Sequence, residues 1–388
     1  MISVEEALTR VFAMVAPLSI EMVPLSRANG RYMPSPAMAN RDQPPFAASA
    51  MDGYAINGTA AVGATFTIIG EAGAGHAYHG TLMPGQALRI FTGAPVPDGA
   101  SRVIIQEDVV AIGNQITLND RLDTGTNIRP LGQDFRAGST LPPRLLRPHD
   151  IALLAAMNIA CVPVTRRPVV AIIATGDELI MPGETPRPDQ IIASNSFALQ
   201  AMIEDAGGIG RMLPIARDTE SALRTVLELA LGADLVITVG GVSVGDHDLV
   251  GKVAVQMGLE RAFYKIAMRP GKPLMAGRLH GVPMLGLPGN PVSAIVCGHL
   301  FLLPMLRAML GMGAHPPQTQ TALLATPIPA NGPRAHYMRA RLVAGLITPF
   351  DRQDSALLTI LTEANALLIR PLGDGPRKAG EDVPYLPI

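Results

Sequence analysis

The sequence has few cysteines and almost no net charge. Its 388 residues include two cysteines, Cys161 and Cys297, and carry a formal net charge of −1. Two thiols in apolar stretches do not build a disulfide framework or a four-thiolate metal site. A balanced charge gives no reason to expect a nucleic acid or an anionic membrane as partner. Because 48% of the residues are hydrophobic and 16% are charged, the composition also excludes a disordered chain.

Signals for export or membrane insertion are also missing. Glu5 and Glu6 stand where a signal peptide carries cations. The most apolar stretch, residues 151–164, is shorter than the roughly 20 residues that span a bilayer. We therefore expect a globular, cytoplasmic protein in a reducing compartment.

The first part of the chain combines helical and strand patterns. Ser3–Glu6 has the form of a capping box and precedes apolar residues at helical spacing, which predicts an N-terminal helix. Short apolar runs, with a hairpin turn at Gly113-Asn114, indicate a β-rich inserted domain over residues 37–134. Helical periodicity returns at 149–160. We expect that segment to pack with the first helix in a small helical domain made of residues 1–36 and 135–167.

The second half contains two further predicted domains. Residues 168–313 alternate buried strands with capped helices, which is typical of a doubly wound parallel α/β domain. Residues 314–388 return to a strand pattern, with candidates at 336–343, 356–361 and 366–369. The predicted fold class is therefore multidomain α/β plus β, ending in a small domain that resembles a β-barrel.

Three loops of the α/β domain are unusual. They follow predicted strands and are Thr175–Glu178, Gly240–Asp248 and Pro288–Ser293. Ligands bind at the carboxyl ends of parallel strands, and glycine lets backbone N–H groups approach a phosphate closely. The loops therefore predict a phosphorylated ligand with carboxylates beside it. Neither a G-x-x-x-x-G-K-[ST] loop nor a G-x-G-x-x-G turn opening a helix is present, which disfavours ordinary nucleotide-binding motifs.

A basic cluster lies between the second and third of these loops. Its cations are Lys265, Arg269 and Lys272. Pro270-Gly271 forces a turn that lets two of the charged groups converge on a small oxyanion. Pro291 then begins a helix, and Ser293 adds a hydroxyl group near its N-terminus. The pattern predicts a dianion site, with a solvated surface strand as the alternative interpretation.

The second loop also supports a competing hypothesis. Gly241, Ser243 and Gly245 fit the G-x-S-x-G nucleophile elbow of serine hydrolases. Possible bases downstream are His280, His299, His315 and His336. No upstream segment resembles the companion oxyanion motif, and the acidic residues at 246–248 crowd the loop. A serine hydrolase using Ser243 therefore remains the alternative enzyme.

Six motifs together resemble the molybdopterin molybdenumtransferases, the MoeA/gephyrin E-domain family, in their order along the chain. They are SAMDGYA from Ser49, FTGAP from Phe91, TGDEL from Thr175, GGVSVG from Gly240, PGKP from Pro270 and LPGNPVS from Leu287. The resemblance extends from the first helix to the C-terminal tail. It implies an elongated four-domain homodimer with the active cleft at the dimer interface. It also implies a central α/β domain similar to MogA, the adenylyltransferase partner of the family.

The resemblance further implies a late step of molybdenum cofactor synthesis. Adenylylated molybdopterin and molybdate are the implied substrates, AMP is released, and Mg²⁺ assists. We expect a separate adenylyltransferase to supply the adenylylated substrate, and molybdoenzymes or their chaperones to receive the product. A non-catalytic dimeric scaffold, which binds receptor tails through a groove, is the second alternative that the family offers.

Site residues are carried over from the family position by position. The acidic and hydroxyl positions fall on Asp52, Thr92, Asp134, Glu178, Asp218 and Asp248. The binding positions fall on Gly240, Gly241, Ser243, Lys265, Arg269, Lys272, Pro273, Pro288, Pro291, Ser293, Arg339 and Ser355. Glu178 and Asp218 are the implied metal or water-orienting carboxylates, because Mg²⁺ takes one or two carboxylates plus substrate phosphate.

Two of these positions carry reservations. Asp134, in Gly132-Gln133-Asp134, has an alternative interpretation as a structural acid in a turn. Arg269 stands where the family often has lysine, and a guanidinium fork meets an oxyanion with a different geometry from a point charge.

Overall fold

The computed structural model describes residues 1–241 and 249–388. The chain forms two compact units. The first, which we call the α/β unit, contains Met1–Glu21 and Val164–Ile388. The second, the β-rich unit, contains Met22–Pro163.

Helix α1 (Val4–Phe12) begins at Ser3, whose hydroxyl accepts the backbone N–H of Glu6 at 3.1 Å. The predicted start is therefore confirmed. Only half of the capping box forms, because the Glu6 carboxylate pairs with Arg10 at 2.5 Å instead of returning to the Ser3 backbone.

The partner predicted for α1 is wrong. Its apolar stripe, which includes Leu8 and Val11, joins the core of the parallel sheet in the α/β unit. The helical segment after residue 148 lies in the β-rich unit. An apolar helix face packs on the largest continuous core available to it, and neither helix carries a sequence signal for that choice.

The β-rich unit is made of short strands. In chain order, and counting the strands in which the chain enters and leaves the unit, these are β1 (Ile20–Pro24), β2 (Tyr32–Met33), β3 (Ala37–Met38), β4 (Ala48–Ser49), β5 (Gly53–Ile56), β6 (Thr65–Ala72), β7 (Gln86–Ile90), β8 (Arg102–Ile105), β9 (Val109–Ile112), β10 (Gln115–Leu118), β11 (Ile128–Arg129), β12 (Thr140–Leu141), β13 (Arg144–Leu145) and β14 (Cys161–Thr165). Helix α2 (Pro148–Ala156) precedes β14.

Six of these strands form one sheet in the order β8-β5-β7-β6-β10-β9. Side chains of a strand alternate between the two faces of a sheet, so Tyr54 and Ile56 join one apolar cluster and Ala55 joins another. The hairpin between β9 and β10 turns at Gly113-Asn114, as predicted, and Gly113 has φ +61°. The remaining short strands pair in twos as β4–β11, β3–β12 and β2–β13.

The α/β unit continues with alternating strands and helices. These are β15 (Val169–Ala174), β16 (Leu179–Ile180), β17 (Ile191–Ile192), α3 (Asn195–Asp205), β18 (Ile209–Met212), α4 (Glu220–Leu229), β19 (Leu235–Val239), α5 (Leu249–Gln256), β20 (Glu260–Tyr264), β21 (Met268–Arg269), β22 (Met275–Leu279), β23 (Val282–Leu287), α6 (Pro291–Cys297) and α7 (Leu303–Met309).

The central sheet has the strand order β18-β15-β19-β23-β22-β20. Its first four strands are parallel, and apolar clusters cover both faces, which confirms the doubly wound architecture. β22 and β20 extend the sheet in antiparallel fashion. Helices α6 and α7 are joined through a π-helical turn, Gly298–Leu302.

The joined helix Pro291–Met309 has the length and apolar composition that a membrane-crossing helix needs. In its most apolar stretch, however, 78% is buried inside the protein, as in a core helix. On its own it is weak evidence for a membrane span.

The C-terminal strands close into a five-stranded barrel. They are β24 (Gln320–Leu324), β25 (Ala335–Val343), β26 (Leu346–Pro349), β27 (Ala366–Arg370) and β28 (Asp382–Pro387), with helix α8 (Leu358–Glu363) between β26 and β27. The order β25-β26-β24-β28-β27 closes because β27 also pairs with β25. The barrel-like domain is therefore confirmed. The strand candidate at 356–361 is wrong, because most of it forms α8; periodicity does not separate helix from strand in so short an apolar run.

The packing of α1 gives a first prediction. Leu8→Ala removes a side chain that is 6% exposed in the core of the α/β unit, and we expect a loss of about 2–5 kcal/mol in the free energy of unfolding. Hydrogen exchange should show faster opening of strands β15 and β19, with the β-rich unit unchanged. Thr9→Ala, at a neighbouring exposed position, is the matched control. Faster exchange in α2 instead would support the predicted packing of α1 against α2 and contradict the structure.

Candidate functional site

Loops at the carboxyl ends of three parallel strands line one cavity in the α/β unit. Its volume is about 590 Å³. Thr175, Gly176 and Glu178 follow β15, and Gly240 and Gly241 follow β19. After β23, the lining residues are Pro288, Gly289, Asn290 and Pro291. The three loops singled out in the sequence thus meet at one edge of the sheet, as open parallel sheets require of a binding site.

Carboxylates occupy one corner of this cavity. Glu178 and Asp218 line it, and Asp177 accepts the backbone N–H of Asp218 at 3.1 Å. Burial, together with the negative charges of Asp177 and Glu178, raises the pKa of Asp218 above its ordinary value. Gly176 has φ +148°, and a Cβ there would lie 2.5 Å from the Glu178 carboxylate. The positive φ favours glycine at this turn, and the Glu178 carboxylate occupies the space that a side chain at residue 176 would use.

Arg217 precedes Asp218 in the chain, and its described hydrogen bonds go to backbone and not to these carboxylates. It donates to the backbone carbonyls of Asp177 and Leu179, at 2.9 and 3.2 Å. Asp177, Glu178 and Asp218 are exposed and lie beside one another, an arrangement that favours a bound cation.

The donor set fits Mg²⁺ in its chemistry. Mg²⁺ prefers oxygen ligands and is usually held by one or two carboxylates together with substrate phosphates. Across residues 1–241 and 249–388, no group of three or more His, Cys, Asp or Glu side chains is arranged to hold a metal ion. Oxygen atoms of a ligand would therefore have to complete the coordination.

Two helix N-termini border the same cavity. Helix α3 follows Ser194 and helix α6 follows Asn290, and neither residue caps its helix with a side-chain hydrogen bond. The Asn195 amide instead donates to the Gly289 carbonyl at 2.7 Å, which ties the two helix starts together. Backbone N–H groups at such ends attract anions.

The Gly-rich loop begins beside these helix ends. Gly240 and Gly241 have φ +92° and +64°, values that favour glycine. A Cβ on Gly240 would lie 2.7 Å from the carbonyl oxygen of Thr175. The continuation of the loop, with the predicted site residues Ser243 and Asp248, lies outside the described residues.

The three cations of the basic cluster lie in different surroundings. The Lys265 ammonium is 4.8 Å from the Tyr264 ring. Arg269 is exposed on β21, which pairs with β25 of the barrel and places Arg269 opposite His336. Lys272 is half-buried and precedes Pro273, which lines the cavity.

The cationic loop, residues 265–273, is held from two sides. The Ala267 N–H donates to the Ile2 carbonyl at 2.9 Å, and Ala335 of the barrel donates to the Ala267 carbonyl at 3.0 Å. Within the loop, the Ile266 N–H donates to the Lys272 carbonyl at 3.0 Å. Gly271, with φ +104°, packs over the Cys297 thiol of α6.

Arg339 and Ser355 are both associated with the loop over residues 352–357. Arg339 is 1% exposed, and its guanidinium donates to the carbonyls of Arg352 and Leu357, each at 3.3 Å. Burial lowers the pKa of Arg339. The loop between these carbonyls carries Ser355, whose hydroxyl accepts from the Asn290 amide at 2.9 Å. Arg339 therefore shapes this loop from below, and direct binding of molybdate by Arg339 remains a prediction.

Ser293 and His336 are both buried. Ser293 follows Asn290 by three residues, and His336 precedes Arg339 by three residues. Ser293 lies in α6 and is 4% exposed. His336 lies on β25 and is 7% exposed. Burial, and then the charges of surrounding arginines, lower the pKa of His336 to about 4. The arginines are Arg269, Arg370, Arg339 and Arg334. His336 is therefore neutral near pH 7.

In the β-rich unit the structure brings Asp52 and Thr92 together. One carboxylate oxygen of Asp52 accepts both the N–H and the hydroxyl of Thr92, each at 2.7 Å. These two hydrogen bonds, and to a smaller extent the charge of Arg89, lower the pKa of Asp52. Gly53 is required beside the pair because a Cβ there would overlap the Ile104 carbonyl oxygen.

Asp134 borders a second cavity, also of about 590 Å³, within the β-rich unit. Its backbone N–H donates to the Gln43 carbonyl at 2.9 Å. Gly93, next to Thr92, lines the same cavity, together with the exposed Phe46 and Arg129. The sequence analysis missed Phe46 and Arg129. The available signal was the position of Arg129, immediately before Pro130 and close to the Gly132-Gln133-Asp134 turn.

Comparisons with known proteins cover the whole chain. Residues 2–158 match the MoeA N-terminal region (domain I and II), residues 171–308 a probable molybdopterin binding domain, and residues 321–388 the MoeA C-terminal region (domain IV). The chain is 34% identical to the molybdopterin molybdenumtransferase of Nostoc sp., covering 100% of this chain and 94% of the relative. It is 33% identical to the Bacillus subtilis enzyme of the same name, with the same coverage.

A solved structure is also similar. The molybdopterin biosynthesis MoeA protein from Pyrococcus horikoshii superimposes with a TM-score of 0.85 at 30% sequence identity, covering 100% of this chain and 99% of that one.

The buried histidine gives a second prediction. The unfolded chain binds a proton at His336 below about pH 6.5, whereas the folded protein resists protonation down to about pH 4, so stability should fall as the pH drops through this window. His336→Asn should lose less stability than the parent between pH 6.5 and pH 4, measured as the midpoint of thermal unfolding. His79→Asn, at an exposed position, is the control. An identical pH slope in all three proteins would contradict the burial of a neutral imidazole.

Proposed function

The chain belongs to the MoeA family, and from this premise we propose that it inserts molybdate into adenylylated molybdopterin with release of AMP. The observation that carries the proposal is the cavity of the α/β unit. It joins an acidic corner, two helix starts without side-chain caps and glycine backbone at one edge of the sheet. These groups complement a diphosphate together with a divalent cation.

The two phosphates of the adenylylated substrate would lie against the N-termini of α3 and α6. Backbone N–H groups there stabilise negative charge that builds up on departing AMP. Glu178 and Asp218 would hold Mg²⁺, which supplies positive charge to the phosphates when bound. If Glu178 alone holds the cation, Asp218 would instead orient the water that attacks the phosphoanhydride and accept its proton.

Molybdate is a second substrate and a small dianion. Lys272 immediately precedes Pro273, which lines the cavity. The Ser355 hydroxyl accepts a hydrogen bond from the Asn290 amide, so the loop that carries Ser355 reaches the start of α6. Charge-assisted hydrogen bonds from this set would hold the oxyanion.

An apolar wall completes the cavity. Leu179, Ile191 and Ile192 line it from the short β16–β17 pair. Ile191 is 58% exposed and Ile192 is 39% exposed, although both are large β-branched hydrophobic residues. A flat heterocycle of the substrate, pterin or adenine, would cover these side chains, while its phosphates meet the polar edge.

The alternatives are less well supported. A serine hydrolase accounts for neither the three matched MoeA regions nor the full-length similarity to named transferases. A non-catalytic scaffold of the same family would account for the matched regions, but the relatives of similar length are named as transferases. We further propose a cytoplasmic homodimer that receives its substrate from an adenylyltransferase and passes its product to molybdoenzymes or their chaperones.

The reaction itself gives the third prediction. Incubation with adenylylated molybdopterin and Mg²⁺ should release AMP much faster when molybdate is added, because insertion of molybdate accompanies the release of AMP. Chromatographic measurement of AMP over time checks this. Glu178→Gln should lower the rate at least about tenfold, since it removes one charge from the acidic corner. Equal AMP release with and without molybdate would rule out the insertion reaction.

Separate subsites for the two substrates give the fourth prediction. Lys272→Ala should raise KM for molybdate about tenfold through loss of a charge-assisted bond, and change KM for adenylylated molybdopterin little. Ile192→Gln should do the reverse by making the apolar wall polar. Binding of AMP and of free molybdopterin to the Ile192 variant then distinguishes which ring covers the wall.

The matched control is Leu229→Gln, which changes another exposed apolar residue, 51% exposed on α4 and absent from the lining of this cavity. It should leave both KM values unchanged. Equal effects of the Lys272 and Ile192 variants on both substrates would refute the division into subsites.

A further inference from the structure

Arg89 has no role in the reaction proposed above, and it lies between two aromatic rings in the β-rich unit. Its guanidinium carbon is 4.9 Å from the centre of the Tyr54 ring and 4.8 Å from the centre of the Phe91 ring. Its N–H groups donate to the Gly53 carbonyl at 3.3 Å and to the Gln106 side chain at 2.8 Å. A planar guanidinium can stack between two rings and still donate to Gly53 and Gln106, whereas an ammonium group acts as a point charge and lacks the planar face.

These partners belong to the two segments that carry the Asp52–Thr92 pair. Tyr54 follows Asp52 by two residues, and Phe91 immediately precedes Thr92. In the antiparallel β5–β7 pair, Tyr54 lies opposite Arg89. β5 begins at Gly53 and β7 ends at Ile90, so Asp52 and Thr92 leave the sheet at the same end.

Asp52 and Thr92 themselves are exposed, and they are joined only beyond the ends of the strands. Strand pairing alone does not fix side chains at such positions, because the ladder has already ended. Backbone hydrogen bonds between Ser49 and residues 93–94 join the two segments, and the stack of Tyr54, Arg89 and Phe91 adds a packed side-chain contact to both. The positive charge of Arg89 also favours the carboxylate form of Asp52.

We propose that Arg89 is a positioning residue, which fixes the Asp52–Thr92 pair through its stack between Tyr54 and Phe91. The proposal rests on the proposed function in one respect, that the pair acts in AMP release. It adds that geometry and charge at Asp52 depend on one residue outside the pair.

Two variants separate geometry from charge. Arg89→Lys keeps the charge but loses the planar stack, so the peptide containing Thr92 should exchange its amide hydrogens several-fold faster. The kcat of molybdate-dependent AMP release should fall about tenfold, a change of about 1.4 kcal/mol, with KM for the adenylylated substrate little changed. Arg89→Gln loses the charge as well, and the acid limb of its pH–rate profile should move to higher pH.

Arg102→Lys is the matched control. Arg102 lies on the adjacent strand β8 and donates to the carbonyls of Asp123 and Gly125, at 2.5 and 2.6 Å. Its replacement should leave Thr92 exchange, kcat and the pH profile unchanged. A fall in kcat as large as that of Arg89→Lys would make the effect one of general stability and overturn the proposal.

A double-variant comparison completes the test. In an Asp52→Asn background, Arg89→Lys should add little further loss, because both changes act on the same pair. Fully additive losses, or unchanged Thr92 exchange in Arg89→Lys, would overturn the positioning role. If the parent protein releases no AMP with molybdate, the proposed function fails, and the Thr92 exchange result still decides whether Arg89 fixes the pair.

Discussion

The direction of the parallel strands is the constraint on which the α/β unit depends. β15, β19 and β23 run the same way, so their following loops must emerge at one edge of the sheet. Residues far apart in the chain, such as Glu178 and Asn290, become neighbours of one cavity for this reason alone. The apolar clusters on both faces hold the strands in that direction, and thereby hold the loops.

Two arginines near this cavity donate to backbone carbonyls instead of pairing with carboxylates. Arg217, the residue before Asp218, donates to the backbone carbonyls of Asp177 and Leu179. Arg339 likewise donates to two backbone carbonyls, those of Arg352 and Leu357, on either side of Ser355. The proposed ligand, which carries phosphates and a cation, would lie between these carboxylates and the two helix starts without side-chain caps.

Much of this organisation is predictable from the sequence because its signals are local. The Ser3 cap, the Gly113-Asn114 hairpin and the alternation of strands and helices after residue 168 each depend on a few adjacent residues. The core that α1 joins is a choice between distant surfaces, and no local pattern encodes it. Arg89 was missed for the same reason. Its partners Tyr54 and Phe91 are brought together by the register of β5 and β7, and an arginine between hydrophobic strand residues carries no motif.

The cationic loop is held by residues near both ends of the polypeptide. Ile2 bonds Ala267 from one side, and Ala335, at the start of β25, bonds it from the other. During synthesis, the ribosome must therefore translate through β25 before this loop receives its second support. A nascent chain released earlier would lack the hydrogen bond from Ala335 to the cationic loop. Completion of the support of this loop is thereby reserved for chains translated past residue 335.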